Sequence, residues 1–201
     1  MRNLVLAFFF GMFLCAMWFA LEWLFTGATE EVMAPNQPMQ WDVTWRDEPW
    51  DHKGYHFTPL ARYEIKARVL HRENYFLDRS AAISSLDLAL GWGRMSDPRV
   101  YDKLWITQGH RFYGWFSFSQ PPIPPEEITR SSANTHLIFA TPEVASACFW
   151  IRADDVVKLG GYLVSVTGPG DFTWNSSLTR EDSGNGACEV MWVKEAKVVG
   201  R

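Results

Sequence analysis

Apolar positions along the chain fall into two regimes. Residues 4–25 read LVLAFFFGMFLCAMWFALEWLF and are apolar throughout except for Glu22. Beyond them, apolar and polar residues alternate in short runs. Tyr63-Glu64-Ile65-Lys66-Ala67-Arg68-Val69 places Tyr63, Ile65, Ala67 and Val69 on one face of a half-buried strand. Residues 86–90 lead into the loop Gly91-Trp92-Gly93-Arg94-Met95-Ser96-Asp97-Pro98. Residues 103–107 and 111–118 are aromatic and β-branched, as two strands joined at Gln108-Gly109-His110. Pro121 to Pro125 form a rigid extended segment running into a helical turn at 126–130, and 136–140 read as a short strand. Thr141 caps a helix with Pro142 in its first position, running to about residue 150. Residues 156–167 form a strand interrupted by Gly160-Gly161, the composition of a bulge or sharp corner. Gly168-Pro169-Gly170 turns the chain into 172–178, the 179–186 loop is polar, and a last strand is expected over 188–199.

The sum is a mainly β fold with one or two short helices. A small OB-like β-barrel, closed or nearly closed, fits this order, with its helix between the middle strands and the glycine pair at a corner. An open antiparallel sheet with the helix on one face fits almost as well. Three segments follow: residues 1–28 as an N-terminal transmembrane anchor, 29–54 as a Pro-, acid- and Trp-containing tether with one short strand at 40–45, and 55–201 as an exported β-rich domain.

The apolar stretch is long enough for a bilayer, since about 20 helical residues span about 30 Å. Trp18 and Trp23 lie toward one end, where indoles favour the headgroup boundary. Arg2 precedes the stretch and Glu22, Glu30 and Glu31 lie at or beyond its far end. The N-terminus is therefore expected in the cytoplasm and the domain outside. A cleaved signal peptide is the alternative, with small residues at Thr26-Gly27-Ala28, although its core would be longer than the usual span of about 7–15 residues. In either case the domain is exported.

Nineteen Lys and Arg against 23 Asp and Glu leave a net charge of −4, with no basic stripe for nucleic acid. Three cysteines are present, Cys15 in the apolar stretch and Cys148 and Cys188 in the domain. The latter two fit either a disulfide closing a loop of about 40 residues or a pair of free thiols.

The blocks YEIKARVLHRENY, DLALGWGRMSDPRV, SSANTHLIFA, GYLVSV and SSLTREDSGNGACEVMWV together resemble a family of uncharacterised membrane-anchored proteins of bacteria, over about residues 57–193. The resemblance implies a single-pass protein of the bacterial inner membrane with a periplasmic domain. It implies no mechanism, and Cys148 is not part of the pattern.

Candidate chemistry is sparse. Ser132, Asn134 and His136 share one face of an extended chain, and Cys188 is the obvious thiol to join them in a nucleophilic site. However, neighbours two apart on a strand are about 7 Å from each other, so such a site needs a partner from elsewhere. The alternative is turn and core roles for all three. His52 and His56, with Asp51, have helical zinc spacing, but Gly54 and Pro49 oppose a helix and no third ligand is signposted. Neither Gly91-Trp92-Gly93 nor Gly184-Asn185-Gly186 has the context of a phosphate loop. No cofactor is indicated.

Aromatic residues are abundant, with 11 Trp, 14 Phe and 6 Tyr. Most are expected in the core, but Trp92 lies in a glycine-flanked loop and Trp174 beside Asn175, Ser176 and Ser177. Such rings suit sugar stacking or a protein contact. The leading reading is a membrane-tethered periplasmic module without catalysis that binds other envelope proteins. It would act through the 92–97 and 179–186 loops, with Trp92, Arg94, Asp97, Trp174, Asp182 and Asn185 as site residues. The alternatives are a glycan-binding module using Trp92 and Trp174, and a thiol enzyme built on Cys188 and His136.

Overall fold

A computed structural model describes Met17, residues 33–182, Gly184 and residues 186–201. Apart from Met17, the apolar stretch 4–25 lies outside these residues, as does Asn185. No helix among the described residues is long and apolar enough to cross a membrane.

The chain is mainly β. Ten strands are described: β1 Met39–Asp42, β2 Trp50–His52, β3 Tyr55–Asn74, β4 Leu86–Gly91, β5 Trp105–Gly109, β6 Phe112–Phe116, β7 Ser132–Phe139, β8 Val156–Gly168, β9 Phe172–Asn175 and β10 Glu189–Gly200. Three short helices accompany them, α1 Pro98–Tyr101, α2 Pro125–Arg130 and α3 Pro142–Phe149. Both expected helical segments thus form as α2 and α3. The cap on α3 forms as well, Val144 N donating to Thr141 Oγ1 at 3.4 Å.

Eight strands make one sheet and β5–β6 a separate hairpin. The sheet is mixed. β7 and β10 run parallel while the other pairs are antiparallel, so a purely antiparallel sheet is excluded. β3 is long enough to serve two neighbours, pairing with β8 from His56 to Arg68 and with β4 from Arg68 to Asn74. The path β3–β4–β7–β10–β8 therefore returns to β3, while β1, β2 and β9 extend its margins. The alternation read from sequence puts Tyr63, Ile65, Ala67 and Val69 inside, where they meet Leu88 and Leu90 of β4, Leu137 of β7, Leu159 and Leu163 of β8, and Met191 and Val193 of β10. Val144 and Cys148 of α3 pack into the same core.

Gly160 and Gly161 lie where β8 bends against β10, whose register shifts between Val193 and Glu195. A Cβ on Gly161 would stand 2.0 Å from the carbonyl oxygen of Trp192, which is backbone and cannot yield.

The segment expected as a tether is, from Met33 onward, part of the folded unit. β1 and β2 both pair with β3. Asp47 fastens the segment between them, accepting from Arg62 Nε at 3.0 Å, Thr44 N at 2.7 Å and Tyr162 Oη at 2.9 Å. The Arg62 guanidinium, aided by these donors, holds the Asp47 carboxyl well below the usual carboxylate range. Trp50 packs on Phe57 and Trp192, with ring centroids 5.7 and 5.1 Å away. Proline and acid content had marked this stretch as a linker, but its Trp50 packs against a second apolar cluster of the sheet.

The corner is testable. Gly161→Ala should cost about 1–3 kcal/mol or more in urea unfolding, because backbone must shift to admit the methyl group. At Gly160 the nearest atoms to a new Cβ are 3.8 Å away, so Gly160→Ala should change stability far less. Equal losses at the two positions would refute the close crossing.

Candidate functional site

β4, β7 and β10 lie side by side, and their outer faces carry the principal polar cluster. Asp87 of β4 is directly opposite His136 of β7, and Val190 of β10 is opposite His136 on its other side, with Cys188 just before β10. Strand pairing thus supplies what spacing along one strand cannot. A carboxylate and an imidazole from two paired strands and a thiol at the entry to a third come to one face.

Asp87 is 0% exposed, and His136 is 2% exposed. His136 Nδ1 stands 2.8 Å from Asp87 Oδ2, close enough for an ion pair though off the line of a straight hydrogen bond. The Cys188 thiol lines the same cavity as this imidazole and donates to the Arg111 carbonyl at 3.7 Å. Burial alone would lower the affinity of His136 for a proton, but the Asp87 and Cys188 side chains more than reverse this, and its pKa is raised.

The second oxygen of Asp87 accepts from Arg111 Nη1 at 2.7 Å. Arg111 reaches it from the turn of the β5–β6 hairpin, where His110 and Arg111 both adopt positive φ, 52° and 70°. Non-glycine residues hold that conformation only when surroundings enforce it. Here the enforcement is the Arg111 side chain, which also donates to Asp78 Oδ1 at 2.9 Å and to the Ser84 carbonyl at 2.8 Å. Its backbone N–H donates to Tyr75 Oη at 3.0 Å.

Asn134, two residues before His136, directs its amide nitrogen to the Arg111 carbonyl at 2.9 Å and to Cys188 Sγ at 3.7 Å. Gln108 Nε2 donates to Asn134 Oδ1 at 2.6 Å and is itself met by His71 at 3.0 Å, so the Asn134 amide has a fixed orientation. Over this set lies a cavity of about 270 Å³ lined by Arg111, Phe112, His136, Trp174, Asn175 and Cys188, among others. The Trp174 ring covers His136 at 4.6 Å between centroids.

The expected binding residues are placed differently. Trp92 is 3% exposed and belongs to the core. The preceding Gly91 explains why, since a Cβ there would meet the Met95 carbonyl at 2.6 Å. The loop is pressed onto the sheet and the indole turns inward. Arg94 pairs with Glu127 at 3.0 Å, and Asp97 caps α1, accepting from Arg99 N at 2.9 Å. Asp182 accepts from Ser177 Oγ at 2.6 Å and steadies its own loop. The two loops flank α2, which reaches one through Arg94–Glu127 and the other through Arg130–Glu181 at 3.7 Å. They do not form a shared aromatic surface. Trp174 is half-buried against His136 and Phe172 rather than offered to solvent. Cys148 and Cys188 are both free, because Cys148 is sealed in the core, where burial pushes its thiol up to about 12, while Cys188 faces the cavity. The disulfide alternative is therefore not realised. Ser132 bonds the Ile128 carbonyl at 2.6 Å and lies outside the cavity lining. His56 pairs with Asp51 at 2.9 Å while His52 packs on Trp192, and no cluster of three metal-ligating side chains occurs among the described residues.

Sequence reading missed Asp87 and Arg111. The signal for Asp87 was a lone acid inside Leu86-Asp87-Leu88-Ala89-Leu90, and for Arg111 its place at a hairpin turn. Compared with protein-family models, curated proteins and solved structures, the chain matches none.

Asp87→Ala should cost about 3–5 kcal/mol, since it strands the Arg111 guanidinium at a largely buried position. The His136 interaction has a pH signature. A pKa raised in the folded state stabilises fully below the unfolded value of about 6.5 and is lost as pH rises through the folded value. The stability advantage of wild type over His136→Gln should therefore be largest in mild acid and decline as the solution becomes alkaline. A pH-independent difference would show that the raised affinity is absent.

Proposed function

We propose that this chain is a membrane-tethered module of the bacterial envelope, anchored as a single pass through residues 4–25 with its β domain in the periplasm, and that it docks another envelope protein. The anchor follows from the length, flanking charge and indole placement of the apolar stretch. The domain is read as a small barrel of the oligonucleotide/oligosaccharide-binding type. Supporting this are the strand path β3–β4–β7–β10–β8–β3, the parallel β7–β10 pair and the helix α3 between β7 and β8.

The observation that carries the docking reading is the outer face of the β5–β6 hairpin. Its inner face, with Ile106, Tyr113 and Trp115, packs against Leu70, Met95, Val100 and their neighbours. A two-stranded ribbon with one face covered should carry polar residues on the other. Instead Trp105 and Phe116 pair across the strands on the outer face, with Phe112 nearer the turn. Trp105 is 62% and Phe118 83% exposed, and Phe118 meets both Trp105 and Phe116 edge-on at 6.3 and 5.1 Å. An exposed cluster of indole and phenyl rings on a rigid support has the composition of a protein-contact hot spot. Glycan binding has less support, since Trp92 is buried and Trp174 is covered by His136.

Crosslinking of the full-length protein in membranes, followed by purification, tests this reading. Trp105→Ser combined with Phe118→Ser should reduce recovery of a stoichiometric partner by roughly thirtyfold or more, as expected for loss of about 2 kcal/mol of hot-spot energy. The melting temperature should hold, because both rings are exposed. Undiminished capture by this variant would overturn the assignment of the surface.

A further inference from the structure

The geometry points to Cys188 as a nucleophile that accepts a small acyl group from an ester or thioester, with His136 as its proton acceptor and Asp87 orienting the imidazole. This goes beyond docking and does not depend on it.

Three observations converge. Cys188 and His136 line one cavity and Asp87 stands 2.8 Å from the imidazole, the set of groups in which a base can take a nucleophile's proton while a third group fixes the base. Cys188 also borders a cavity of about 270 Å³, so its sulfur faces space rather than packed core. Finally, the surroundings of the sulfur are organised in depth. Asn134 approaches Sγ at 3.7 Å and is held by Gln108 and His71, while Arg111 fixes the far side of Asp87. A thiol serving only as a small core residue requires none of these, as Cys148 illustrates among apolar neighbours.

The cavity has room for a small acyl group, and Phe112 and Trp174 give it apolar walls. Dithiol chemistry is disfavoured. Among the described residues the other thiol is Cys148, which is buried in the core and absent from the cavity lining.

The reaction balances with water as the only co-reactant. The Cys188 proton passes to His136 as Sγ attacks the carbonyl carbon, forming the C–S bond and moving the carbonyl π electrons onto oxygen. Collapse of that adduct breaks the bond to the leaving group, which departs with the proton from His136. The resulting thioester on Cys188 is cleaved by water that gives its proton to His136. The carboxylic acid is released and the proton returns to sulfur. Asp87 is a positioning residue throughout, because it touches the imidazole and not the acyl group.

The test uses the full-length protein in detergent micelles with 4-nitrophenyl acetate as probe. Wild type should release a burst of one nitrophenolate per chain, and peptide mass spectrometry should find the acetyl group on Cys188. Cys188→Ser should abolish the burst, Cys148→Ala should retain it, and His136→Gln should slow acylation by about two orders of magnitude. His136 is buried, so that variant risks misfolding, and a comparison within the wild-type chain removes the ambiguity. Cys188 in the folded protein should acetylate about 100-fold faster than the same residue after unfolding in urea. Acetylation at equal rates in the folded and unfolded chains, or on residues other than Cys188, would overturn the proposal. Loss of partner capture by the hairpin variant with the burst intact would leave it standing, so the two readings fail independently.

Discussion

Asp87 is a carboxylate with no access to water, and an unpaired charge in that position would unfold its surroundings. An arginine and a histidine answer it, and each comes from a different element. Arg111 arrives from the hairpin turn and His136 from the adjacent strand. This requirement determines where the hairpin lies, because the guanidinium reaches Asp87 only if the turn is folded down over β4 and β7. It also accounts for the positive φ at His110 and Arg111, a conformation whose cost is offset by the ion pairs made at its end. Once the hairpin is fixed, its inner face is covered, its outer aromatic face is presented, and a cavity is left between its turn and β9.

Much of the fold was legible in the sequence because it is local. Strict alternation in β3 identified its buried face, Thr141-Pro142 marked the start of α3, and Gly160-Gly161 marked the bend in β8. These signals depend on neighbours a few residues apart. What did not show was which strands are adjacent. β7 and β10 are parallel and separated by a helix and two strands, and nothing in either pattern names the other as partner. The stretch before β3 was read as a tether because prolines and acids dominate it. Its role in the sheet depends on Asp47 meeting Arg62 and Tyr162, the latter more than 100 residues away.

The site was less legible for the same reason. Cys188, His136 and Asn134 were identifiable by residue type, but the objection to them rested on distance along one strand. The distance that matters runs across strands, where directly opposed residues are about 5 Å apart. Asp87, the residue that completes the row, was hidden within a run of leucines that defined a strand. Trp92 failed in the opposite sense. Flanking glycines suggested an exposed loop, whereas Gly91 is small because the chain is pressed too tightly against Met95 and Leu70 to admit a side chain.

The inner face of the sheet is filled by packed side chains, which leaves its outer face to carry polar groups. Leucine, valine and tyrosine side chains occupy the core, and the glycine crossing of β8 over β10 leaves no slack in the backbone there. The two proposed sites accordingly lie on the outer face of β4, β7 and β10 and on the hairpin beside it. Phe112 belongs to both, since it lines the cavity and lies on the outer face of the ribbon with Trp105 and Phe116. Four residues of strand separate Phe112 from Phe116, about 13 Å at strand rise. A partner seated on the exposed rings thus extends to the rim of the cavity without large movement. The Arg111 turn is tied to Asp87 by a salt bridge at 2.7 Å. The two proposals therefore use adjoining parts of one surface while depending on different residues, Trp105 and Phe118 for docking and Cys188 and His136 for proton transfer.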